Sequence, residues 1–176
     1  MRLGVADHLG WAVVVAATED GEVADRRRIE LVEPGVPTMP IHSESKRLDA
    51  GATAALVASV RASCVRAASA AFDELAAALP APVRSISLRE WPEDFPADVA
   101  VQMRSPWEAR ADAVMYRRAV AEAAVLRGWA VHRYDVREVL SLVPDEVLRA
   151  PRARLGPPWA KDHRVALAAA ILAGGG

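Results

Sequence analysis

Residues 2–32, RLGVADHLGWAVVVAATEDGEVADRRRIELV, contain three apolar segments that are separated by two short turns. The first segment ends at Asp7, and the second, rich in valine, covers residues 11–17. The turn at 18–21 contains Asp-Gly, which tolerates the positive φ of a tight hairpin. Apolar and polar residues alternate between 23 and 32, a pattern typical of a half-buried strand. This stretch therefore predicts three consecutive antiparallel strands.

The rest of the chain alternates between helical and extended patterns. Apolar residues recur every three or four positions in a long segment that begins near Leu48, which predicts a helix ended by two prolines. Gly128 is well placed to cap a second helix. The proline-bearing segments 33–45 and 92–106 are predicted to be loops. In chain order the predicted elements are a helix within 48–79, a strand at 83–88, a helix at 107–127, a strand at 129–134, and helices at 136–142 and 162–172.

Three hairpin-linked strands followed by alternating helices and strands define the fold class. The order strand, strand, strand, helix, strand, helix, strand, helix implies a five-stranded mixed sheet with helices on both faces. No internal repeat or linker divides the chain, and its 176 residues suit one domain with a sizeable core. The sequence therefore predicts a single α/β domain over residues 1–176.

Composition excludes several classes of protein. Hydrophobic residues make up 52% of the chain, so a disordered protein is excluded. A single cysteine, Cys64, allows no intrachain disulfide, and the four histidines lack the spacing of a zinc site. Asp7 comes too early for the apolar region of a signal peptide, and no run of apolar residues is long enough to span a membrane. We therefore expect a soluble cytoplasmic protein with no membrane partner.

The charges are unevenly distributed although they nearly cancel. The net charge is −1, which gives no overall basic character. Residues 1–103 carry 10 Lys/Arg and 15 Asp/Glu, whereas residues 104–176 carry 12 and 8. The basic C-terminal portion suits contact with phosphates or with an acidic partner. Arginines that simply solvate helix faces would explain the same counts.

Several short segments point to one known family. LGVAD at 3–7, followed by GWAVV at 10–14, ends its first strand in an aspartate. VHRY at 131–134 leads into VREV at 136–139, and KDHRVALA at 161–168 begins a helix with a carboxylate. These segments and the order of the elements resemble the Holliday-junction-resolvase branch of the ribonuclease H-like superfamily. The chain also resembles bacterial proteins of similar size, a likeness that implies no function.

The resemblance implies a metal-dependent nuclease that cleaves nucleic-acid phosphodiesters. In that superfamily, carboxylates from the first strand, the fourth strand and the last helix hold divalent cations, and Mg²⁺ and Mn²⁺ prefer such oxygen ligands. The resemblance also implies a histidine that assists proton transfer and basic residues that contact a substrate phosphate. The matching ligands are Asp7, Glu90 and Asp162, the histidine is His163, and the basic residues are Lys161 and Arg164.

Each proposed metal ligand also has a structural explanation. Asp7 precedes a turn and would suit an Asx turn, and Asp162 would suit a helix cap. Glu90 would suit a solvated strand end. The sequence therefore leaves two main hypotheses, a metal-dependent nuclease and a non-catalytic ribonuclease H-like scaffold that binds protein or forms a homodimer. A nucleotide-phosphate binder of the actin and sugar-kinase type is disfavoured, because such proteins duplicate the domain.

Overall fold

The computed structural model describes residues 1–173 and contains a single five-stranded mixed sheet. Strand β1 is antiparallel to β2, and β2 to β3, whereas β1, β4 and β5 run parallel to one another. The spatial order is β3-β2-β1-β4-β5, which places β1 at the centre. The predicted mixed sheet is thus confirmed. The strands are β1 (Arg2–Asp7), β2 (Trp11–Ala17), β3 (Val23–Glu30), β4 (Ser85–Arg89) and β5 (Ala130–Tyr134).

Helices pack on both faces of the sheet. Leu3 and Val5 of β1 face a core formed with the two longest helices, α1 and α3, whereas Ala6 faces a second core formed with the last helix. This alternation follows from the two-residue period of a strand, and it explains why residues 3–6 of β1 carry no polar side chain. The helices are α1 (Ala50–Ala78), α2 (Val99–Gln102), α3 (Glu108–Val125), α4 (Val136–Leu142), α5 (Asp145–Arg149), α6 (Pro151–Leu155) and α7 (Lys161–Leu172), and a 3-10 turn covers Glu44–Arg47.

A glycine in β1 allows the last helix to lie directly on the sheet. A Cβ atom at Gly4 would stand 1.8 Å from the backbone oxygen of Ala166 in α7. No side chain fits in that space, because the obstructing atoms belong to the backbone. Gly4 therefore sets the distance between β1 and α7, the two elements that carry Asp7 and Asp162.

A buried aspartate in α3 holds the irregular segment after β3. The two carboxylate oxygens of Asp112 accept hydrogen bonds from the backbone amides of Ile41 at 2.9 Å and His42 at 3.0 Å. Asp112 is buried, and burial raises the pKa of its carboxyl group, although the two amide hydrogen bonds oppose that shift. The proline-rich segment is thus attached to the α1/α3 layer.

Short helices lie in segments for which the sequence predicted no helix, including the predicted loop at 92–106. The segment 92–106 contains α2, whose first turn is capped by the Asp98 side chain accepting from the amide of Ala100 at 2.8 Å. The segment between α4 and α7 contains α5 and α6. Helices of four or five residues complete little more than one turn, so the 3.6-residue period cannot reveal them.

Helix α1 is long and apolar enough to cross a membrane by length and composition alone. However, one of its faces is packed into the core that covers the sheet, through residues such as Val60, Cys64 and Phe72. A core helix of a soluble protein satisfies the same criterion of length and composition, so α1 is weak evidence for a membrane span.

Candidate functional site

Asp7 lies at the end of β1 and is the most buried of the predicted ligands, with 6% of its surface exposed. Its Oδ2 atom accepts a hydrogen bond from Nε of Arg117 at 2.8 Å. Its Oδ1 atom is buried and has no hydrogen-bond partner among residues 1–173, and Nε of Arg89 lies 3.9 Å from it. Asp7 therefore forms a buried ion pair instead of an Asx turn.

Arg117 connects three elements at this end of the sheet. It projects from α3, pairs with Asp7 of β1, and donates from Nη1 to the backbone oxygen of Glu90 at 2.9 Å, just after β4. Its side chain is only 13% exposed. The guanidinium is always charged at accessible pH, so it supplies a fixed positive charge to the Asp7 carboxylate.

A buried tyrosine packs beside this pair. The hydroxyl of Tyr134, the last residue of β5, donates to the backbone oxygen of Val5 at 2.6 Å. Burial, and secondarily the negative charge of Asp7, raise the pKa of Tyr134 far above its usual value. Tyr134 therefore stays neutral and acts as a hydrogen-bond donor that joins β5 to β1.

Asp162 also lies near the end of β1 but contacts a different residue. Its Oδ2 atom is 3.0 Å from Nε2 of His8, which follows Asp7 directly, and the His8 ring stacks on Trp11 at 4.0 Å. The N-cap of α7 is Ala160, so Asp162 sits in the first turn without being the cap. The alternative of a capping role for Asp162 is thus wrong.

His163 has a structural role in its own helix. Its Nδ1 atom accepts a hydrogen bond from the amide of Ala160 at 3.2 Å, and its buried ring lies against Trp159. Burial, and secondarily the charge of Arg26, lower the pKa of His163. These contacts fix the ring at the start of α7, and they account for His163 without the proton transfer that the resemblance implied.

The two basic residues expected to contact phosphate, Lys161 and Arg164, flank Asp162 and His163 at the start of α7. Lys161 is exposed, whereas Nη1 of Arg164 lies 3.5 Å from a carboxylate oxygen of Asp145 in α5. Lys161 therefore remains a candidate phosphate contact, while Arg164 is partly neutralised.

The three predicted metal ligands lie at one end of the sheet but do not form a metal site. Asp7 is paired with Arg117, Asp162 contacts His8, and Glu90 directs its backbone oxygen at Arg117 while the residue is exposed. Within residues 1–173, no three His, Cys, Asp or Glu side chains are grouped so that they could hold a metal ion. This arrangement does not fit the divalent cation that the resemblance implies, because the guanidinium of Arg117 already contacts the carboxylate of Asp7.

A cavity of about 880 Å³ opens beside Arg117. It lies at the ends of β4 and β5 and is bounded on its other side by the first half of α3. Trp91 contributes an aromatic wall, and the guanidinium of Arg133 lies 4.7 Å from its ring centroid. The cavity is lined by four arginines and three acids, namely Arg89, Arg110, Arg117, Arg133, Glu90, Glu93 and Asp135.

Sequence patterns did not identify the arginines of this site. Arg117 and Asp7 are separated by 110 positions. Neither arginine periodicity nor a short motif distinguishes Arg117 from its neighbour Arg118, which lies over the ring of Phe95. The only available signal was the excess of basic residues in the C-terminal portion.

Comparisons with known proteins identify the fold. The structure is similar to RuvC from T. thermophilus in complex with a Holliday junction substrate, with a TM-score of 0.52, 11% identity, and coverage of 97% of this chain and 89% of that chain. A second Thermus thermophilus RuvC structure aligns with a TM-score of 0.46, 14% identity, and coverage of 98% and 94%. No protein-family model and no curated protein sequence matches the chain.

The fold predicted from the sequence is confirmed by this likeness. The chain has the ribonuclease H-like fold, in the form found in the Holliday junction resolvase RuvC, over nearly its whole length. At 11% identity the likeness concerns the fold alone.

Proposed function

We propose that this chain is a nucleic-acid-binding domain of the ribonuclease H-like fold that binds phosphates in the arginine-lined cavity without cleaving them. The observation that carries the proposal is the group of four arginines around one concave surface beside Asp7. Arginine presents donors in a planar fork that matches the oxygens of a phosphate group. Phosphate contacts supply most of the affinity of proteins for nucleic acids.

The cavity arginines differ in how much of their charge is available. Arg110 is exposed, and it makes no ion pair with any carboxylate in residues 1–173. Arg133 is exposed too, and its nearest carboxylate oxygen, on Glu93, is 3.7 Å away. Exposed ion pairs of this kind contribute little free energy. Arg110 can therefore bind a phosphate without breaking an ion pair, whereas Arg133 would exchange a weak exposed ion pair and its contact with the Trp91 ring.

The position of the cavity supports the same function. It lies at the carboxyl ends of the parallel strands β4 and β5, where sheets of α/β proteins commonly bind ligands. The RuvC chain with the same fold was solved with a Holliday junction substrate, so branched DNA is the first ligand to test.

A metal-dependent nuclease is the second candidate, and one observation favours it. The Oδ1 atom of Asp7 is buried without a hydrogen-bond partner in the described part of the chain, as expected for an oxygen that accepts a cation. Asp7, Glu90 and Asp162 would be the ligands and Mg²⁺ or Mn²⁺ the cofactor. Arg117 would have to leave Asp7 first, which is why we rank this candidate second.

The scaffold hypothesis remains as the other alternative. A domain that binds protein or forms a homodimer would use the same fold without needing the cavity arginines. Cytoplasmic location and homodimer formation both stay predictions.

Fluorescence anisotropy with labelled branched, single-stranded and duplex DNA tests the proposal. Wild type should bind at least one of these at low salt, and Arg110→Ala/Arg133→Ala should weaken binding by about a hundredfold or more, since each of the two charge-assisted hydrogen bonds contributes about 1.5–3 kcal/mol. Arg152→Ala in α6 removes an exposed arginine outside this cavity and serves as the matched control.

Three outcomes would contradict the proposal. Equal loss of affinity in the control would indicate a general charge effect, and no binding by wild type would favour the protein scaffold. Cleavage of DNA in Mn²⁺ that Asp7→Asn abolishes would favour the nuclease.

A further inference from the structure

We propose that Arg117 acts as a tethered cation at Asp7, and that removing its guanidinium opens a divalent-cation site at this carboxylate. The inference concerns the same end of the sheet as the proposed function, but it does not depend on nucleic-acid binding. It rests on two observations. Asp7 is a buried carboxylate that suits a metal cation, and the cation that contacts it is instead the guanidinium of Arg117.

The Asp7 carboxylate requires positive charge where it lies. It is 6% exposed, and a buried carboxylate without a counter-charge is strongly disfavoured. Arg117 provides that charge by direct contact with Oδ2 at 2.8 Å, while Nε of Arg89 remains 3.9 Å from Oδ1. Arg117 is therefore the principal counter-charge of Asp7.

The oxygens that Arg117 contacts are those a hard cation would use. Its guanidinium donates hydrogen bonds to a carboxylate oxygen of Asp7 and to the backbone oxygen of Glu90. A third oxygen, Oδ1 of Asp7, is buried and unpartnered within residues 1–173. Carboxylate and carbonyl oxygens with added waters form the ligand set that Mg²⁺ and Mn²⁺ prefer. Without the guanidinium of Arg117, these oxygens would keep the buried charge and lose its direct partner, while Nε of Arg89, 3.9 Å from Oδ1, is beyond hydrogen-bond distance.

The site is held together by elements that do not depend on Arg117. Asp7 is held by its pairing with Ala12 in the ladder between β1 and β2. The end of β4 is held by the pairing of Arg89 with Tyr134, and the amide of Glu90 donates to the backbone oxygen of Tyr134 at 3.0 Å. Truncating Arg117 should therefore leave the oxygens near their present positions and create space beside them.

Calorimetry and thermal unfolding, with and without millimolar Mn²⁺ and without nucleic acid, test the inference. Arg117→Ala should bind Mn²⁺, and its Tm should rise by about 5 °C or more at a Mn²⁺ concentration of about one hundred times Kd. Wild type should show neither effect. Arg110→Ala, which removes a cavity arginine that does not contact Asp7, is the matched control and should behave like wild type.

A double variant assigns the binding to Asp7. Arg117→Ala/Asp7→Asn should lose the Mn²⁺ response, because the amide carries no charge. Arg117→Met keeps most of the side-chain volume and should bind Mn²⁺ as Arg117→Ala does, so it carries the test if the alanine variant does not fold.

Absence of a Mn²⁺ response in a folded Arg117 variant would overturn the inference, as would an equal response in wild type or in the double variant. Since no nucleic acid is present, such a result leaves the proposed binding function untouched. Conversely, failure of DNA binding would not change the Mn²⁺ result expected for Arg117→Ala.

Discussion

Substituting Gly4 by alanine tests how closely the last helix lies on the sheet. The added Cβ would be 1.8 Å from the backbone oxygen of Ala166 and 2.9 Å from the amide nitrogen of Ala170, whereas ordinary contact begins at 3.4 Å. Subtracting 1.8 from 3.4 Å, α7 would have to retreat by 1.6 Å along this contact. Because both obstructing atoms belong to the backbone, no rotamer change can relieve the overlap.

The expected cost follows from that displacement. Overpacking costs about 1–3 kcal/mol where side chains adjust, so a clash with helix backbone should exceed about 3 kcal/mol. For a chain of this size, that loss lowers Tm by about 6–12 °C or more. The retreat would also separate Asp162 from His8, whose atoms are now 3.0 Å apart.

Thermal unfolding and urea titration of Gly4→Ala provide the measurement. Gly51→Ala in the first turn of α1 is the control, because the nearest atom to an added Cβ there is 3.4 Å away and alanine is favoured in a helix. A Gly4→Ala variant as stable as wild type would refute the direct packing of α7 on β1.

Two further predictions concern buried polar residues. Asp112→Ala should lower stability by about 2–3 kcal/mol in urea titration, because the amides of Ile41 and His42 lose their acceptor, and an unchanged midpoint would refute the role of Asp112. The pKa of His163 is lowered in the folded state, so the folded chain binds a proton at His163 more weakly than the unfolded chain does. The neutral His163 ring therefore makes its full contribution to stability above the unfolded pKa of about 6.5. That contribution should be lost as pH falls below about 6.5 towards the lowered pKa, and His163→Gln, unlike His42→Gln, should flatten the pH dependence of Tm. Equal slopes in the two variants would contradict this assignment.

Local signals explain what the sequence predicted well. The three-stranded start was predicted correctly because strand alternation and the turn before Val23 act over a few residues. The long helix was predicted because its buried stripe, including Val60 and Phe72, repeats over many turns. The position of Asp7 at a strand end was likewise predicted by local pattern.

Non-local contacts explain what the sequence did not predict. The partner of Asp7 comes from α3, and the partner of Asp162 is His8, 154 positions away. Such pairs depend on how helices dock on the sheet, which periodicity does not determine. The resemblance implied that Asp7, Glu90 and Asp162 lie at one end of the fold, but nothing in the sequence indicated that the guanidinium of Arg117 contacts Asp7.

The salt dependence of DNA binding tests the central claim most directly. For wild type, the logarithm of the association constant should fall linearly with the logarithm of salt concentration, because bound phosphates release counterions. Arg110→Ala should reduce that slope by about one, as expected when one phosphate contact is lost, and Arg152→Ala should leave it unchanged. Binding whose slope is the same in wild type and Arg110→Ala would contradict phosphate recognition in the arginine-lined cavity.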